Sequence, residues 1–272
     1  MTPQRAVVPQ ADPVPSSGPV LVPGPVPGPV PEPAAIPAKV LPFPGAALPS
    51  ITPAAASANV RAVLLTEYLI LFGALPLILC LPVFAALPRL PLLWTVAAYA
   101  AWTLSRDPSF PRRELWNAAP LCRQLRQLLA LFAAGVVIVS ALVHVYLPDL
   151  FLALPRLHPR FWAFVMVSYP VISVYPQGLI YRSWILHRYR AAFQPEGAPP
   201  ALLLFSSAAA FATMHLLFHN WIAVAATFPG GILFARRHLD SRSLLVSSLE
   251  HALYGCLLFT IGLGQFFGLH IH

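Results

Sequence analysis

Charge is scarce in this chain of 272 residues. Aspartate and glutamate together number 9, lysine and arginine 17, and charged residues make up 10% of the sequence. Soluble domains carry about a quarter, so a water-exposed surface of ordinary composition is excluded. Cysteine is also sparse. Cys80, Cys122 and Cys256 are odd in number and share no CxxC spacing, which excludes a disulfide framework and a thiolate metal site. Polar faces between the apolar stripes, which a soluble helical bundle requires, are missing from most of the apolar stretches. The net charge of +8 rests almost wholly on arginines in short clusters between apolar runs. That is not the basic patch of a nucleic-acid-binding surface; it is the pattern of membrane anchors.

What the chain does have is apolar length and proline. Hydrophobic residues make up 58% of it and the mean hydropathy is +0.71. So large an apolar excess needs a bilayer as its solvent. About half of the 32 prolines lie in residues 1–58, where Pro alternates with Val and Gly. Proline sustains neither a helix interior nor a strand ladder, so this segment reads as a disordered, solvated tail of polyproline II character. It lacks the compact apolar core of a signal peptide. Residues 59–272 read as an all-α transmembrane helical bundle of about seven spans, near 63–87, 91–104, 127–147, 161–181, 200–218, 221–235 and 243–266. The second and sixth are short.

Arginine placement orients the bundle. Arg106, Arg112, Arg113, Arg123 and Arg126 fall in one loop, Arg182, Arg188 and Arg190 after the fourth span, and Arg236, Arg237 and Arg242 before the last. Seven spans put all three segments on one side, cytoplasmic by the positive-inside rule, with the N-terminus inside and a bacterial inner membrane as the expected location. Arg89, Arg156 and Arg160 fall on the other side.

Polar groups within spans are costly unless paired or facing a cavity, so the few present are informative. Glu67 and Glu250 are the acids within spans, Glu67 expected to reach out to water. Gln177 and Arg182 follow Pro170 and Pro176. His144, His215, His219 and His251 complete the set. Gly178 and His215 are nearly equidistant from the turn at 194–199, and at about 1.5 Å per residue His215 and His251 rise to similar heights above the 236–242 turn. Three chain-distant positions therefore share one depth. His215 can also be read as a core histidine bonding a carbonyl one turn back, and Arg182 as an anchor or as a partner for Glu250. His215 and His219, four apart, could together bind a metal, although His219 fits an interface better. Phe211 reads as packing.

Three segments, Tyr175-Pro-Gln-Gly-Leu-Ile-Tyr-Arg182, Phe211-Ala-Thr-Met-His215 and Glu250-His-Ala-Leu-Tyr-Gly255, together resemble the CPBP intramembrane proteases, also called the CAAX prenyl protease or Abi family. That family carries EExxxR, FxxxH and HxxxN in this order, and the resemblance covers residues 170–260. It maps Arg182, Phe211, His215 and His251 onto motif positions. The glutamate pair is replaced by Gln177 and Gly178, and the last asparagine by Gly255. The resemblance implies a helical bundle with a cytoplasmic cavity and an intramembrane endopeptidase acting on a membrane-associated peptide or prenylated protein, with lipid around it. His215, His251, Gln177, Arg182 and Glu250 are the candidate site residues. His215 and His251 could hold a divalent metal such as zinc. The lost glutamates favour the competing class, an inactive pseudoprotease acting as a membrane binding or immunity protein, while the retained histidines favour the endopeptidase. No repeat or paired broken helices point to a transporter.

Overall fold

The computed structural model describes residues 53–194 and 199–269, with side chains from residue 58 onward. The tail expected over residues 1–58 falls almost entirely outside the described residues. Among the described residues the regular structure is helical, with no strand. Seven helical rods run in chain order: α1, Ala58–Leu79; α2, Arg89–Arg106; α3, Leu121–Tyr146; α4, Pro159–Arg188; α5, Ala201–Phe218; α6, Trp221–Ser241; and α7, Leu244–Thr260. Of these, α1, α3, α4 and α5 are each long and apolar enough to cross a bilayer, and α7 is apolar but shorter. The remaining rods, α2 and α6, lie where the sequence places its second and sixth spans. The chain is an integral membrane protein with an all-α fold.

The rods end where local chemistry ends them. α1 stops at Leu79 rather than 87, because Pro82 opens a separate 3-10 turn, Pro82–Phe84. α7 stops at Thr260 rather than 266. Gly262 adopts φ +102° there, and a Cβ on it would fall onto the carbonyl oxygen of Leu150, so only glycine fits. Asn220 caps α6 by accepting from the Ala223 amide at 2.8 Å. Ser243 caps α7 by accepting from the Val246 amide at 3.1 Å. Each side-chain oxygen satisfies one of the orphan amides of a helix start.

Proline inside an apolar helix removes an amide donor and leaves a carbonyl without its bond. In lipid that carbonyl must find another donor. Pro76 leaves the carbonyl of Phe72, and the Thr213 hydroxyl of α5 donates to it at 2.8 Å. Pro176 leaves the carbonyl of Ile172, and the Trp94 indole of α2 donates to it at 3.0 Å. Each proline thus ties α1 or α4 to a neighbour at a fixed height.

The main core is aromatic. Tyr68 and Phe72 of α1, Tyr181 and Trp184 of α4, and Phe211 of α5 pack with Tyr189 in one buried cluster. Helices α5 and α6 touch through small residues: a Cβ on Gly231 would lie 2.8 Å from the Cα of Ala208, the close backbone approach expected of membrane helices. Glu67 does not reach out to water. Arg188 donates to both its oxygens at 2.6 Å and Tyr189 adds a bond at 2.8 Å. A carboxylate this deep is cheaper paired bidentately than exposed alone.

The three arginine-bearing segments meet at one end of the bundle. Asp107 bonds His187 at the end of α4 at 2.8 Å. Arg242, in the turn between α6 and α7, pairs with Glu114 at 2.6 Å. The Ser243 hydroxyl donates to the carbonyl of Asn117 at 2.5 Å. The loop from α2 to α3 is thereby strapped across this end. Burial pushes the Asp107 carboxyl up, but hydrogen bonds from Ser109 and His187 outweigh it and hold the group below its ordinary range. Glu114 goes the other way, because burial outweighs the cations Arg242, Arg190 and His187.

Candidate intramembrane site

Arg182 sits in a π-helical turn of α4, Leu179–Trp184, which follows directly on the turn Tyr175–Gly178 that carries Gln177. Such wide turns recur where a helix must present side chains off its regular face. Arg182 is 2% exposed. Its Nη2 donates to Nδ1 of His251 on α7 at 2.6 Å. A guanidinium only donates, so Nδ1 is the acceptor and the ring proton resides on Nε2. That nitrogen faces the Tyr169 hydroxyl at 3.4 Å. Phe234 of α6 stacks on the His251 ring at 4.6 Å between centroids and lies under the Arg182 guanidinium at 5.2 Å. His251 is thus held on both edges and one face.

His215, at the end of α5, donates through Nδ1 to the carbonyl of Phe211 at 2.6 Å. Its Nε2 has no hydrogen-bond partner among the described residues. The carbonyl bond one turn back is the one the sequence allowed for a core histidine. The position is nevertheless shared with His251, because the Phe211 ring lies edge-on to both, 4.6 Å from His215 and 5.3 Å from His251. Phe211 is the packing spacer between the two rings. His219 is exposed at a left-handed residue, φ 55°, where the helix has ended, so it does not share a helix face with His215. His144 packs its ring on Phe151, remote in contacts from this cluster.

Glu250 is not a partner of Arg182. Both its oxygens are held by Arg237 of α6, at 3.0 Å from Nε and 2.9 Å from Nη2. Arg237 also bonds Gln124 and Gln127 of α3. Adjacent helical residues point about 100° apart, so His251 faces the cluster and Glu250 faces α6 and α3. Gln177 donates to Ser173 at 2.6 Å, and its Oε1 is buried without a partner among the described residues.

Two glycines show what occupies the space of the missing motif side chains. A Cβ on Gly255 would lie 2.5 Å from the Tyr169 hydroxyl and would also strike its ring. The phenol of Tyr169 fills the place where the motif has asparagine, and it offers a neutral hydrogen-bonding group to the same histidine. Sequence reasoning missed Tyr169, which lies in none of the three motifs; the small residue at position 255 was its only signal. A Cβ on Gly178 would lie 2.8 Å from Leu244 Cδ1, 2.8 Å from Ser248 Oγ and 2.9 Å from Arg182 Nη1. Gly255→Asn alone is therefore expected to cost about 1–3 kcal/mol through overpacking, read as a lower unfolding midpoint in detergent. Pairing it with Tyr169→Ala should recover most of the loss.

The residues do not fit a divalent metal. Among the described residues no three His, Cys, Asp or Glu side chains converge. The Arg182 guanidinium already holds one nitrogen of His251, and its charge opposes a cation there. His215 and His251 are left without a third ligand of the kind zinc sites use.

Residues 158–257, from α4 through most of α7, match the family described as Rce1-like, type II CAAX prenyl endopeptidase. No curated protein and no solved structure matches the chain. The matched segment contains every residue of the cluster just described, so the cluster lies within the part of the chain that is similar to an intramembrane endopeptidase family.

Proposed function

We propose that the Rce1-like domain of this chain receives a membrane-associated peptide between its helices and holds it with little or no turnover. The observation behind this reading is that, among the described residues, no carboxylate base stands free beside the two histidines. Hydrolysis needs a group that takes a proton from water and a donor that stabilises the oxyanion. Donors remain: the Arg182 guanidinium and the Tyr169 hydroxyl. At the position of the motif glutamates stand Gln177, which cannot take a proton, and Gly178, which offers only backbone. Glu250 is bound to Arg237, and the acceptor nitrogen of His251 is bound to Arg182.

One observation favours a second reading, a slow endopeptidase. His215 holds Nδ1–H on a carbonyl and keeps Nε2 open, which is how a histidine is set to act as general base. The two readings separate in one experiment. Wild type, His215→Ala, His251→Ala and the double variant are titrated in lipid nanodiscs with a fluorescent S-farnesylated tetrapeptide, and the peptide is then recovered and weighed by mass spectrometry. Saturable binding of intact peptide is expected, with non-additive losses in the double variant because both histidines line one site. Cleavage by wild type that vanishes in His215→Ala would establish the slow endopeptidase instead. Additive losses would mean two unrelated core histidines.

A further inference from the structure

The charges around the site do not balance. Of the acids among the described residues, Glu67 is taken by Arg188, Glu114 by Arg242, Asp107 by His187, Asp240 by Arg236 and Glu250 by Arg237. Asp149 lies in the turn after α3, at the other end of the bundle from the arginine segments. None is bonded to Arg182. Glu250 is within electrostatic reach of it, but two guanidiniums then share one carboxylate. The imbalance continues toward the strapped end of the bundle, where Arg190 and Arg242 act on each other with Glu114 as their acid. The charges of Arg182, Arg190 and Arg242 all act on His238, and Glu114, 3.8 Å away, is the acid beside it. Arginine does not shed its proton in proteins, and an isolated charge buried in an apolar bundle is costly.

The unsatisfied atoms lie together. Among the described residues, Nη1 of Arg182 is buried with no hydrogen-bond partner, and so is Oγ of Ser248. Both lie within 2.9 Å of the point where Gly178 would carry its Cβ. This is where the family resemblance expects a glutamate and the chain has none. The third atom at that point, Leu244 Cδ1, is the end of a rotatable side chain.

We propose that Arg182 is the docking charge for a carboxylate carried by the ligand, the C-terminal carboxylate of the bound peptide, which takes the place of the side-chain carboxylate this chain has lost. One oxygen accepts from Nη1 of Arg182 and from the Ser248 hydroxyl, while Nη2 stays on His251 and the Leu244 side chain turns aside. A carboxylate suits the site because it matches the planar guanidinium fork and its single charge balances the cluster. This rests on the peptide-binding reading and names the chemistry that reading leaves open.

The test uses the full-length protein in phosphatidylcholine nanodiscs and two fluorescent S-farnesylated tetrapeptides that differ only in a C-terminal acid or amide. The acid form is expected to bind wild type at least tenfold more tightly, with the difference gone in Arg182→Gln and partly kept in Arg182→Lys. The wild-type comparison needs no variant, so misfolding of either variant leaves it standing. Saturable but equal binding of acid and amide would overturn the carboxylate site and leave the peptide-binding reading intact. Failure of both peptides, with oleate binding lost in Arg182→Gln, would overturn the peptide reading and reassign the carboxylate to a fatty acid. Tight binding of an amidated peptide carrying a glutamate side chain would move the source from the terminus to a side chain and overturn the C-terminal assignment. No binding by any of them would overturn both.

Discussion

Gln177→Glu is expected to raise peptide hydrolysis by about 10²–10⁴-fold, the usual contribution of a positioned general base. The change is isosteric, so it adds a proton acceptor without adding volume. The oxygen that replaces Nε2 no longer donates to Ser173; the Ser173 hydroxyl turns to donate to it instead, so that contact is kept with its direction reversed. The new carboxylate would stand on the α4 turn preceding Arg182, whose unmatched positive charge keeps a neighbouring acid ionised. Gly178, the second position of the lost glutamate pair, is the more crowded of the two, because Leu244, Ser248 and Arg182 close in within 2.9 Å of any Cβ there, and overpacking of this kind typically costs about 1–3 kcal/mol. Gly178→Glu is therefore expected to raise the rate less than Gln177→Glu, and to raise it further when Leu244→Ala spares the displacement of that side chain. His215→Ala in the Gln177→Glu background should remove most of the gain. Rates are compared by mass spectrometry of a farnesylated peptide under single-turnover conditions. An unchanged rate in Gln177→Glu would mean that more than the base has been lost.

Breaking the Glu250–Arg237 pair is expected to cost about 3–5 kcal/mol, the loss typical when one member of a buried pair is removed. Arg237 is 4% exposed and Glu250 0%, so Glu250→Ala leaves a guanidinium with only the two glutamines Gln124 and Gln127 for partners. The double replacement Arg237→Met/Glu250→Leu should regain most of the stability, since two apolar side chains need no partner in an apolar bundle. Unfolding midpoints in mild detergent check both. If Glu250→Ala were as stable as wild type but lost peptide binding, Glu250 would belong to the site and the assignment to a structural pair would fail.

Much of this architecture was legible in the sequence. Apolar length located the rods because a bilayer fixes how long a spanning helix must be. The depth argument brought Gly178, His215 and His251 to one level, because helical rise is nearly constant and the turns on either side are short. Side-chain partners were not legible. Glu67 looked as if it should reach water, yet it is locked by Arg188 and Tyr189, two residues far along the chain from it. Glu250 looked available to Arg182, yet the 100° step from His251 turns it toward Arg237. Tyr169 was invisible because its role depends on the absence of a side chain at Gly255, a fact about empty space that no motif records. Helix ends differed where a single residue decided them, as Pro82 and Gly262 do.

The central claim is that the site captures a membrane-associated peptide but lacks the base to cleave it. The most direct measurement follows a farnesylated tetrapeptide bound to wild-type protein in nanodiscs, with bound fraction read by fluorescence and chain integrity by mass spectrometry on the same sample. The account predicts saturable occupancy with intact peptide recovered over times in which Gln177→Glu has turned over its complement. Cleavage by wild type at a rate equal to that of Gln177→Glu would contradict it.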